Sequence, residues 1–140
     1  MGVDHGTYTL LLRVAAPTTI RVGALGERAF PAGVYAYTGS AFGPGGFARI
    51  ERHRRVAAGD ADTRHWHIDY LLPSASVRDV YTAAGAAIEC AVARSLPGER
   101  VDGFGASDCD CDSHLAYTTD PGPLRQRLEA LYDDVPEADR

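Results

Sequence analysis

The 140-residue sequence has no lysine and no asparagine, a single methionine, a single tryptophan and three cysteines. An odd cysteine count, with Cys109 and Cys111 separated by one residue, is a poor disulfide framework. No apolar run approaches the ~20 residues of a membrane span, and the N-terminus lacks the apolar core of a secretory leader. A soluble, cytoplasmic protein without membrane contacts is therefore expected. Because lysine is absent, all 14 basic residues are arginine, and the net charge is −5. That sign counts mildly against a nucleic-acid partner. At this length one domain is expected, burying roughly 70% of its unfolded surface.

The distribution of charge says more than its sum. Arg49, Arg52, Arg54, Arg55 and Arg64 fall in one short stretch, with His53, His65 and His67 among them. Much of the acid lies elsewhere, at Asp108, Asp110 and Asp112 and in the tail. An acidic chain with one local basic patch presents that patch to a phosphate.

Strands are expected at Thr7 to Val14, with Tyr8, Leu10, Leu12 and Val14 on one face, at Thr18 to Val22, and at Gly33 to Gly39, with Tyr35 and Tyr37 on one face. Gly26 to Pro31 reads as turn material, so these strands suggest an antiparallel meander or hairpin set. Gly43-Pro44-Gly45-Gly46 interrupts regular structure ahead of a helix from Phe47 to Ala58, with Gly59 as its stop. Further on, the patterns predict strands at His65 to Leu72 and Val77 to Thr82, an alanine-rich helix at Ala83 to Leu96 and a loop at Phe104 to His114. A short strand at Leu115 to Thr118 and a helix at Leu124 to Tyr132 complete the set. The class expected is α/β or α+β: a small antiparallel sheet of three or more strands flanked by helices, in one domain over 1–132. The acidic tail, 133–140, is expected to be disordered.

Three groups of residues can carry chemistry. Glu89 and Arg94 are the only charges on an otherwise small and apolar helix; a carboxylate there calls for an arginine, a metal ion or exposure at a cleft. The plainer reading is a surface salt bridge. Arg49 and His53, four residues apart, share a helix face, where a guanidinium can grip a phosphate and an imidazole can move a proton. A merely solvated basic face is the alternative. Tyr8, Tyr35 and Tyr37 offer phenols, which at a pKa of ~10 are weak bases unless a cation or metal lowers them. Separately, Cys109, Cys111 and His114 could hold a structural zinc, although buried thiols in a tight loop suit that spacing better. His65 and His67, on one side of the expected strand, suit aromatic packing or phosphate contact better than metal.

Gly6-Thr7-Tyr8, Tyr37-Thr38-Gly39, Arg49, His53 and Glu89, in that order, resemble the GIY-YIG nuclease pattern. The resemblance is closest to its archaeal Uri-type branch. It extends through Tyr-Thr-Gly-Ser-Ala-Phe-Gly-Pro-Gly-Gly, His-Trp-His-Ile-Asp-Tyr-Leu-Leu, Glu-Cys and Gly-Phe-Gly-Ala-Ser-Asp-Cys-Asp-Cys-Asp-Ser-His-Leu, at intervals between Gly6 and Tyr117. It implies a GIY-YIG-like sheet and a metal-dependent endonuclease acting on nucleic acid, DNA in preference to RNA, in repair or processing. Glu89 would ligate one Mg²⁺ or Mn²⁺, Arg49 would clamp the scissile phosphate, His53 would orient or protonate nearby oxygens, and Tyr8 or Tyr37 would help activate the water. Arg52, Arg54, Arg55, Arg64, His65 and His67 would supply backbone contacts. The interval between Tyr8 and Tyr37 exceeds the family's usual hairpin, so an extra strand or loop is expected there. Gly33-Val34-Tyr35 imitates the first motif but lies too close to Tyr37 to serve as it. A binding or repair-accessory module without catalysis, and a zinc-stabilised interaction domain, are the competing readings.

Overall fold

Alternation in the first strand organises the molecule. A computed structural model describes residues 5–41, 46–60, 67–85, 88–101, 104 and 113–133. In chain order the elements are β1 (Gly6–Val14), β2 (Thr18–Arg21), β3 (Glu27–Phe30), β4 (Gly33–Ser40), α1 (Ala48–Ala57), α2 (His67–Leu71), β5 (Ser76–Ala84), α3 (Glu89–Ser95), β6 (Glu99–Arg100), β7 (Leu115–Thr118) and α4 (Pro121–Asp133). Five strands form one antiparallel sheet in the order β5-β1-β4-β7-β6, and β2 and β3 pair as a separate hairpin. The architecture is α+β, with helices on both faces of the sheet.

The period of two in β1 sends Tyr8, Leu10, Leu12 and Val14 to one face, where Tyr35 and Tyr37 of β4 join them. Helix α1, helix α2 and the hairpin cover this face with Ile50, Val56, Ile68, Leu71, Val22 and Phe30. Leu11, Ala36 and Ala116 point to the other face and pack against Val92 and Leu96 of the α3 segment and Leu124 and Leu128 of α4. β1 is thus buried on both sides: its even positions are apolar, and at the odd ones Leu11 is joined by Thr7 and Thr9, whose buried hydroxyls are hydrogen-bonded.

Four expectations change. The meander fails because β4, not β2, returns beside β1. Thr18–Arg21 buries neither of its faces completely and could not fill a central position, whereas Val34, Ala36, Tyr35 and Tyr37 serve both faces. Glu27–Phe30 is a strand and not a turn; the reversal is confined to Val22–Gly26, closed by the Val22 amide on the Gly26 carbonyl at 2.9 Å. The hairpin is the extra structure that the long interval from Tyr8 to Tyr37 required.

The segment after residue 66 is helical where a strand was expected. Ile68, Leu71 and Leu72 are all buried, and their i, i+3, i+4 spacing is that of a helix face. A strand would have put Leu71 and Leu72 on opposite sides. Finally, Ala83 and Ala84 belong to β5, paired with Thr7 and Gly6, and the helix starts only at Glu89. Sheet pairing overrides alanine's helix preference there, and Gly85, at φ 77°, ends the strand. The strands at residues 33–40 and 115–118 and the helices near residues 48 and 124 appear as expected. The tail beyond Asp133 and most of the Phe104–His114 stretch lie outside the described residues.

Candidate active site

Both motif glycines have steric reasons. Tyr8 of β1 pairs with Gly39 of β4, and a methyl group on Gly39 would sit 2.6 Å from the Tyr8 hydroxyl oxygen. A methyl group on Gly6 would collide with the Ala83 carbonyl of β5 and crowd Phe47. Glycine at one position lets the Tyr8 ring lie flat over the neighbouring strand; at the other it lets β5 approach.

Helix α1 turns Ile50, His53 and Val56 inward at three-residue steps. His53 is thereby driven into the core between the two tyrosines, with no exposed surface. Its Nε2 is 2.8 Å from the Tyr8 hydroxyl, and its ring centroid lies 5.7 Å from that of Tyr8 and 6.2 Å from that of Tyr37. The two tyrosine rings are 6.3 Å apart. On the far side of the imidazole, Asp69 of α2 places Oδ1 at 3.8 Å from His53 Nδ1, a charge contact longer than a hydrogen bond, while Arg52 Nη2 donates to Asp69 Oδ2 at 3.0 Å. Arg49, one turn before His53, donates from Nη1 to the Ser40 carbonyl at 2.7 Å, which anchors a guanidinium at the end of β4.

The surroundings set the protonation states. Burial pushes the Tyr8 phenol well above its ordinary value; Tyr37 and Asp69 add to this, and Arg49 and Arg52 pull against it. Burial likewise raises Tyr37, with Asp69 adding and Arg49 opposing. His53 is lowered from 6.5, chiefly by burial; Asp69 opposes the shift, and Arg52 and Arg49 reinforce it. At neutral pH the cluster is a protonated phenol hydrogen-bonded to a neutral imidazole. The imidazole thus turns Nδ1 to the Asp69 carboxylate and Nε2 to the Tyr8 hydroxyl.

Tyr8, Tyr37, Arg49 and His53 are therefore brought together. Arg52 is turned toward Asp69, to which it donates, and its side chain keeps 20% exposure. Arg54 and Arg55 are exposed on α1. His67 lies on a helix, not on a strand face; it packs its ring at 5.6 Å against Phe104, and burial lowers its pKa from 6.5. Arg64, His65, Cys109 and Cys111 lie outside the described residues. His114 is buried, its carbonyl accepting the Thr38 amide at 3.0 Å. Tyr35 is structural: its hydroxyl donates to the Pro31 carbonyl and its ring packs on Tyr117. Of Glu89 only the backbone is described. It opens α3, and the preceding Ile88 amide donates to Thr7 Oγ1 at 3.0 Å, tying this helix start to the Tyr8 end of β1.

Asp69 is the member of the cluster not foreseen from sequence. Its signal was present in the helical spacing of Ile68, Leu71 and Leu72, which places Asp69 on a helix beside α1.

The chain matches the family model described as Domain of unknown function DUF123 over residues 7–136, a span that holds every residue of the cluster. It belongs to the DUF123 family. No curated protein and no solved structure matches it. DUF123 membership thus covers nearly the whole chain, and a functional reading has to come from the site.

Proposed function

We propose that this DUF123 protein is a divalent-metal-dependent endonuclease of the GIY-YIG type, hydrolysing phosphodiester bonds in DNA. The observation that carries the proposal is the buried Tyr8–His53 hydrogen bond of 2.8 Å, with Arg49 one helical turn away. Burying an imidazole, a carboxylate and two phenols around one point contributes little to stability, because a buried ionic group is commonly no better than an apolar one of the same shape. It does suit proton transfer beside an anion.

The donor set suits Mg²⁺ or Mn²⁺. The resemblance points to Glu89, which opens α3, and the start of that helix is held beside Thr7; a carboxylate is an oxygen ligand suited to these ions. Glu89 would hold the ion, which when bound supplies Lewis-acid neutralisation of phosphate charge. The chain's own residues do the rest. Arg49, fixed on the Ser40 carbonyl, offers a guanidinium to the non-bridging phosphate oxygens. The Tyr8 oxygen accepts a proton from the attacking water while Tyr8 passes its own to His53 Nε2, so no buried phenolate accumulates. A new P–O bond forms to the water oxygen as the P–O bond to the leaving strand breaks. That bond's electrons stay on the departing oxygen, which takes a proton from solvent, and His53 returns its proton to solvent afterwards. Arg54 and Arg55, exposed on the same helix, extend the cationic surface along the backbone.

The test is a cleavage panel with purified protein over single strands, duplexes, flaps and RNA, with and without Mg²⁺ or Mn²⁺. Metal-dependent cutting of DNA is expected, with Glu89→Ala losing cleavage while keeping salt-sensitive binding. Equal cutting by this variant and the wild type would sink the assignment. Binding without cleavage by the wild type would instead make the chain an accessory module on the same fold.

A further inference from the structure

We infer that Asp69 is a positioning residue that sets the tautomer and orientation of His53, so that Nε2 faces Tyr8 as a proton acceptor. Asp69 is completely buried, and each carboxylate oxygen faces a different group on α1: Oδ2 accepts from Arg52 at 3.0 Å and Oδ1 faces His53 Nδ1 at 3.8 Å. Arg52 and His53 are neighbours in sequence, so one carboxylate reads two adjacent side chains and fixes the rotation of α1 about its own axis. If Asp69 only tied α2 to α1, Arg52 would suffice as its partner, and nothing would require Oδ1 to lie on the imidazole side.

The 3.8 Å separation has a chemical meaning. When the Tyr8 proton arrives on Nε2 the ring becomes a cation, and Asp69 Oδ1, 3.8 Å from Nδ1, attracts it. Asp69 then stabilises the imidazolium formed during the step and contributes less beforehand, the pattern of a group acting in the transition state. The groups facing His53 are Tyr8 from β1, Tyr37 from β4, Arg49 and Arg52 from its own helix and Asp69 from α2. Among the described residues that shift His53, Asp69 is the carboxylate that opposes the two arginines.

The kinetic arm of this inference rests on the endonuclease reading; the spectroscopic arm does not. Long-range ¹H–¹⁵N correlation spectra of the wild-type protein report the His53 tautomer directly. The Nδ1–H form is expected, and an Nε2–H form overturns the inference whatever the protein cleaves. In Asp69→Asn the His53 titration is expected to move to lower pH, since the opposing carboxylate is gone, and the acidic limb of the kcat profile should follow it. A fall in kcat of about 100-fold with KM unchanged is expected, a magnitude typical of acid–base groups, with partial recovery in Asp69→Glu. A variant that melts earlier but keeps the wild-type tautomer, titration and pH profile would show Asp69 to be a structural tie alone. Should the wild type cleave nothing, the tautomer and titration still decide the inference while the endonuclease reading falls by itself.

Discussion

The two faces of the sheet are built on opposite terms. The face under α3 and α4 is aliphatic: Leu11, Ala36, Val92, Leu96, Leu124 and Leu128. Its polar groups are hydroxyls that satisfy one another, as where Thr9 bonds Thr38 at 2.9 Å and Tyr132 at 2.6 Å. The face under α1 and α2 buries an imidazole and a carboxylate beside two phenols. Removing apolar surface from water at ~25 cal/mol per Å² stabilises the first face directly; on the second, desolvation of the ionic groups offsets much of what their attraction returns. One face holds the fold together, and the other spends some of that stability on a chemical arrangement. A cavity of about 480 Å³ lined by Arg13, Val34, Arg78 and Arg125 lies on the aliphatic side and shares no lining residue with the Tyr8–His53 cluster. This hollow is separate from the cluster of phenols and imidazole.

Paired substitutions across the sheet should separate the two roles most sharply. Tyr8→Phe is expected to lower cleavage by about 10²–10⁴-fold, the usual contribution of a proton-transfer group, while costing only about 1 kcal/mol of stability for the lost hydrogen bond. Leu128→Ala, on the other face, should cost about 2–5 kcal/mol and leave the rate per folded molecule unchanged. Urea denaturation beside single-turnover cleavage measures both quantities, and a Leu128→Ala protein with a Tyr8→Phe-like rate would break the division.

A smaller effect is expected from Gly39→Ala. The added methyl group would lie 2.6 Å from the Tyr8 oxygen and 2.7 Å from its ring carbon, so the phenol must move off His53. Overpacking of this kind costs about 1–3 kcal/mol, and a rate loss of at least about tenfold should accompany it. A wild-type rate in this variant would mean that the Tyr8–His53 bond is dispensable.

The smallest effect is the pH dependence of stability. The folded His53 pKa lies below 6.5, so the unfolded chain takes up its proton first as pH falls. Stability from this source is complete above pH 6.5 and declines below it as the unfolded state binds the extra proton. His67 has the same sign and keeps part of the slope. His53→Gln should flatten the fall in urea midpoint below 6.5, and an unchanged slope would place the imidazole in water, contrary to its burial.

Much of this could be read in advance because it depends on local periodicity. The alternation of Tyr8, Leu10 and Leu12, the tyrosines of β4 and the four-residue step from Arg49 to His53 put phenol, guanidinium and imidazole within reach of one another. The unforeseen parts depend on partners distant in the chain. Ala83 and Ala84 are strand because Gly6 and Thr7 pair with them, and Arg52 turns inward because Asp69 waits there.

Composition and pattern alone therefore determined a small antiparallel sheet flanked by helices, a glycine-flanked tyrosine on its first, alternating strand and a basic helix after a glycine-rich bend. Tertiary structure decided which basic residues remain on the surface, which tyrosine meets the imidazole, and that the buried acid beside it is Asp69. The physical reason is that period and propensity act over a few residues, whereas burial and charge pairing depend on which segments the sheet brings together. The 45-position separation of Tyr8 and His53 closes to 2.8 Å only once β4 has returned beside β1 and set α1 across them.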